Sequence, residues 1–92
     1  MDVDAGLRPV ISGVVTGPEG PVALARVMIE QAPAPTPDIA ALTGEDGGFA
    51  VGTVGPGRYV LVVQADGYPP ARREVAVSQR DVTVDVWLRR DG

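Results

Sequence analysis

Glycine, proline and aspartate punctuate this chain so often that only short runs of apolar character stand between them. Seven runs are left between the breaks: "RPVISGVVTG", "ALARVMIEQA", "IAALTG", "GFAVGTV", "GRYVLVVQAD", "REVAVSQ" and "DVTVDVWLR". The last has the clearest alternation, with Val82, Val84, Val86 and Leu88 on one side and Thr83, Asp85, Trp87 and Arg89 on the other. A period of two over such a stretch means a strand with one buried face. Tyr59, Leu61, Val63 and Ala65 oppose Arg58, Val60, Val62 and Gln64 in the same way. Residues 22–32 are ambiguous: they contain good helix formers and Pro21 could open a helix, whereas Val27 and Ile29 alternate with Arg26, Met28 and Glu30 between turn signals, which favours a strand without deciding it. Seven short strands at this spacing, separated by turn residues, predict an all-β chain folded as a β-sandwich.

The turns have mechanical explanations. Asp46-Gly47 is a hairpin-type signal, since glycine takes the left-handed conformation and aspartate can bond its own backbone. Gly55-Pro56-Gly57 reverses the chain again, and Asp66-Gly67-Tyr68 ends a strand ahead of Pro69-Pro70, which bar further ladder pairing. "PAPTP", with Pro33, Pro35 and Pro37, reads as a stiff surface loop. Its prolines are two apart, not the three of a P-x-x-P ligand.

The 92 residues form a single domain over residues 1–92, with its core within about 9–89. The formal charge is −4, and acids and arginines are scattered; nucleic-acid binding would need a concentrated basic patch. No apolar run approaches the roughly 20 residues of a membrane span, so no direct membrane insertion is expected. The start "MDVDAGLR" lacks the architecture of a signal peptide. The expected location is the cytoplasm if the chain is complete, and outside the cytoplasm or on the cell surface if it is part of a longer protein.

The order and spacing of several motifs resemble the carboxypeptidase regulatory-like domain family. They are Gly13/Val15, Ala25/Val27, Thr43/Asp46/Gly47/Phe49, Pro56/Gly57, Tyr59/Leu61/Val63 and Gly67/Tyr68, spread over about residues 10–89. The resemblance implies a seven-stranded antiparallel Greek-key β-sandwich of the prealbumin-like (transthyretin-like) kind, with residues 22–32 as a strand, and an accessory module attached to a larger protein, rather than its catalytic part. The proline-rich loop departs from the family's pattern.

Composition narrows the chemistry. The chain has no cysteine, histidine, lysine or asparagine. Ser-His and Cys-His nucleophile pairs are thereby excluded, and so are the usual donors of zinc and other transition metals. The enzymes that share this fold are excluded on the same ground: hydroxyisourate hydrolases depend on histidines, and intradiol dioxygenases hold iron with tyrosine and histidine. An isopeptide crosslink of the collagen-adhesin type needs lysine and asparagine. Glu45 and Asp46, with Asp38 or Asp66, could offer oxygens to calcium, but their spacing is not that of a calcium loop, and a solvated bend is the simpler reading. "GEDGG" would repel a phosphate. No cofactor and no catalytic residue are expected.

What remains is a surface. Trp87, Val60, Val62 and Val14 all fall on outward parity and are the candidate interaction residues, for a neighbouring domain of a larger protein or another protein. A glycan is the alternative ligand. A tryptophan grouped with valines would form an apolar patch, unless loops or "MDVDAGL" fold over Trp87.

Overall fold

The computed structural model describes residues 9–35 and 40–89. Among these there is no helix, and nine strand segments form two sheets. The first sheet is built on β1 (Val10–Gly17), with β2 (Gly20–Pro21), β5 (Gly48–Gly52), β8 (Val82–Thr83) and β9 (Val86–Trp87) paired to it. The second has the order β4-β3-β6-β7, from β3 (Arg26–Gln31), β4 (Ala41–Leu42), β6 (Gly57–Gln64) and β7 (Ala71–Val77). The chain passes between sheets from β2 to β3, β4 to β5, β5 to β6 and β7 to β8, giving a Greek-key sandwich.

Two details of the expected fold are corrected. The seven runs appear as nine segments, because the "PEGP" turn contributes the short β2 and the last run is split at Val84–Asp85. Pairing is not wholly antiparallel either. β8 and β9 run parallel to β1, with Ile11↔Val82, Ser12↔Thr83, Val15↔Val86 and Thr16↔Trp87 in register. The split has a physical cause. Where the ladder would continue, the Val14 N–H donates to Asp85 Oδ1 at 3.2 Å, so a carboxylate replaces a main-chain carbonyl.

β1 is central to its sheet. Ile11 and Ser12 pair with β5 on one edge and β8 on the other, and Thr16 pairs with both β2 and β9. Alternation then decides the core. Ile11 and Val15 face inward, as do Val27, Phe49, Tyr59, Leu61, Val63, Val75 and Val77, and they meet Val84, Val86 and Leu88 of the last strand. Val82 is only partly buried at the margin. The ambiguous segment at residues 22–32 forms a strand over Arg26–Gln31, as the family resemblance implies.

Buried polar groups are paired. Thr43 accepts from the Ala25 N–H at 2.9 Å and donates to Val22 O at 2.6 Å. Thr53 donates to Pro9 O at 2.6 Å, fastening the start of β1. Tyr59, wholly buried, donates from its hydroxyl to Gly55 O at 2.6 Å and accepts from the Val54 N–H at 3.0 Å, so it clamps the β5–β6 turn. Pro33, at the start of the proline-rich loop, packs against that turn: a Cβ on Gly57 would lie 2.6 Å from its Cγ. Pro37 lies outside the described residues.

Candidate functional site

Trp87 reaches the surface because its neighbours do not. Val86 and Leu88 point into the core, and the Leu88 N–H donates to Thr16 O at 2.8 Å. This fixes β9 against β1 and turns the indole outward, 67% exposed. Val14, 37% exposed, lies on the outer face of the same sheet, two residues along β1 from Thr16, the partner of Trp87. The aspartates nearby are already engaged with backbone: Asp85 Oδ1 with Val14 and Asp81 Oδ1 with the Val10 N–H at 2.9 Å. Arg73 reaches across from β7 and donates to Asp85 O at 2.8 Å.

Val60 and Val62 do not join this face. They lie on β6, in the other sheet, so the four candidate residues are divided between opposite sides of the sandwich. Val62 requires a further correction. Its outward parity is right, since it is in register with Met28 and Arg72, but it is only 6% exposed. Arg72 on β7 and Glu30 on β3 flank β6 and form a two-bond pair across it, Nε to Oε1 at 2.9 Å and Nη2 to Oε2 at 3.0 Å. This bridge spans the outer side of β6, on which Val62 lies between its cross-strand partners Met28 and Arg72. The hydrogen bond from Arg72 holds the Glu30 carboxyl below its ordinary value, against an opposing effect of desolvation and with a lesser contribution from the arginine's charge. The same bond raises Arg72.

The alternation within single strands therefore groups residues that the sheet assignment separates. It also misses two exposed apolar side chains, Leu24 and Leu42. Leu42 lies in β4 opposite Arg26. Leu24 adopts a left-handed backbone conformation, φ 61°, rare for a bulky residue. Its N–H donates to Thr43 O at 3.0 Å. Nothing in the residue pattern signals that conformation.

The acidic "GEDGG" segment is a bend. Asp46 Oδ1 accepts the Gly48 N–H at 2.8 Å, Gly47 has φ 78°, and its carbonyl accepts the Val15 N–H at 2.9 Å. The carboxylate expected to bond its own backbone does so. Among the described residues no three acidic side chains converge as a metal-holding group, and Asp38 lies outside them. Surface depressions occur along Ile29–Pro35 and beside Arg58, Glu74, Val75 and Ala76; Trp87 lines neither. The expectation that "MDVDAGL" might cover Trp87 falls outside the described residues.

Comparison with known proteins agrees with this architecture. No curated protein sequence matches the chain. Among solved structures, a DUF3823 family protein from Parabacteroides merdae superposes with a TM-score of 0.68 at 16% identity, over 88% of this chain and 45% of that one. The dioxygenase domain of a dioxygenase carbohydrate-binding protein fusion from Streptomyces sp. SirexAA-E gives 0.67 at 17% identity, over 92% and 81%. A chain of a type II cohesin-X-dockerin complex from Acetivibrio cellulolyticus gives 0.62 at 20% identity, over 87% and 56%. These likenesses establish the fold alone, and the chain spans less than half of the DUF3823 family protein. The family model of the carboxypeptidase regulatory-like domain matches residues 10–89, from the first residue of β1 to just past β9. The chain belongs to the carboxypeptidase regulatory-like domain family.

Proposed function

We propose that this domain is a non-catalytic accessory module whose first sheet, around Trp87 and Val14, packs against a neighbouring domain or another protein. The observation that carries the reading is Trp87 itself: a large indole left 67% exposed by a strand whose other apolar residues are buried. Tryptophan is enriched among the few residues that dominate interface energetics. Structural neighbours in the cohesin-X-dockerin assembly and in a two-module fusion are in keeping with a sandwich used beside other domains. Absence of histidine leaves the iron chemistry of the dioxygenase neighbours without its imidazole ligands here. A glycan remains the alternative, but a lone tryptophan is a poor platform for a sugar chain.

The test is the emission of Trp87, the sole tryptophan. In the isolated chain it should be that of a hydrated indole and should be quenched by acrylamide. In the full polypeptide encoded by the gene, or with its partner bound, it should shift to the blue and resist quenching. Emission already blue-shifted and unquenchable in the isolated chain would show Trp87 to be covered and would remove the docking surface. A shift induced by soluble oligosaccharides alone would move the assignment to glycan binding.

A further inference from the structure

The two ends of the described chain leave the sandwich at opposite poles, and they do so from neighbouring strands. β1 starts at Val10, and β9 closes beside the far end of β1, with Thr16 opposite Trp87. Eight residues of β1 at about 3.3 Å each put these poles roughly 25 Å apart. Because β8 and β9 run parallel to β1, tension applied through Pro9 and Arg89 pulls the two strands past each other along their length. Such loading is shear. The bonds between the strands carry the force together, whereas a pull at one end would open them one after another.

The bonds present suit that geometry. Along its edge toward the last strand, β1 offers Val10 N–H, Ser12 O, Val14 N–H and Thr16 O. They meet Asp81 Oδ1 at 2.9 Å, the Val84 N–H at 2.7 Å, Asp85 Oδ1 at 3.2 Å and the Leu88 N–H at 2.8 Å. Two of these four links are aspartate side chains, placed where the last strand departs from regular pairing. Arg73 ties the same break to β7 through Asp85 O, so the edge strand is held from the second sheet as well. Inside, Val84, Val86 and Leu88 are buried, and sliding β9 would drag them through the core.

We propose that the domain is a load-bearing spacer, resisting tension between its ends through the β1–β8/β9 ladder and its two aspartate clamps. This inference does not use the Trp87 face and stands or falls separately from docking. Force spectroscopy on single molecules tests it, comparing two directions of pull on the same ladder. Handles at the two ends load it in shear. Since the chain has no cysteine, Pro18→Cys gives one unique attachment at the far pole, and pulling between that position and the C-terminal end peels the ladder open. The end-to-end direction should need about twofold more force or greater, because weak bonds resist together only in shear. Asp85→Ala should lower the end-to-end force and leave the peeling force nearly unchanged. Equal forces in both directions would overturn the proposal. So would a high end-to-end force that Asp85→Ala, shown folded by circular dichroism, fails to reduce. Should Asp85→Ala not fold, the two-direction comparison on the otherwise unaltered chain decides alone.

Discussion

A methyl group on Gly13 would collide with the carbonyl of Val84, whose carbon would lie only 2.7 Å away. Relief would require moving the β8–β9 break off β1, so Gly13→Ala should destabilise the fold by about 2–3 kcal/mol in urea titration. Gly47 is constrained twice, by φ 78° and by Val15 O at 2.5 Å from a Cβ, so Gly47→Ala should cost about 1 kcal/mol or more. Asp46→Ala loses one exposed hydrogen bond and should cost less, and calcium should leave the melting temperature unchanged. A calcium-dependent rise of several degrees would return the bend to consideration as a site. Thr43→Val would strand the buried Ala25 N–H and Val22 O and should cost about 2 kcal/mol or more, while Thr43→Ser should recover most of it. The glycine at position 47 is legible because its turn is local. Thr43 is not, although it stands in the motif, because the atoms its hydroxyl serves lie 18 and 21 positions away.

Strand by strand, alternation indicates correctly which side of β6 and of the last run faces the core. It cannot show what covers the other side. Val62 lies between Met28 and Arg72 of two other strands, and the Arg72–Glu30 pair that spans the same side of β6 meets only once β3, β6 and β7 are in register. The pair is exposed and water-screened, so its influence should be small and salt-sensitive. Its pH dependence has a definite sign. Glu30 binds protons less readily folded than unfolded, so the pair's contribution is fully present above the ordinary carboxyl value of 4.5 and is lost as pH falls through the lowered folded value. Urea titrations from pH 7 down to pH 2 should therefore show Glu30→Gln differing most from the parent at neutral pH and converging with it in acid. A difference that widened on acidification would contradict the assigned direction.

At the scale of the whole molecule, the closing step is the union of the first strand with the last. Ile11 meets Val82 across 71 positions of chain, and the parallel sense of that union is invisible to periodicity, which is the same for either direction of pairing. The last strand supplies Val84, Val86 and Leu88 to the core and fills one edge of the central β1. The remaining strands of the first sheet, β2 and β5, both pair with β1, while β4, β3, β6 and β7 form a sheet of their own. Ending the chain before Val82 should consequently do more than fray an end. It would expose one edge of β1 and open the core along its length, and in a chain of 92 residues little other apolar surface is available to offset the loss. The truncated chain should show no cooperative thermal transition, whereas the intact one should melt in a single transition with a β-type circular dichroism spectrum free of helical minima. Refolding of the intact chain should be slow for its size, in the millisecond-to-second range, since the β1–β8/β9 ladder forms only after a long loop has closed. Stopped-flow refolding followed by far-ultraviolet circular dichroism would check this. A cooperative melt retained without residues 82–92 would mean that the second sheet is sufficient by itself, and that β1 is held by β5 rather than by the strand it ends beside.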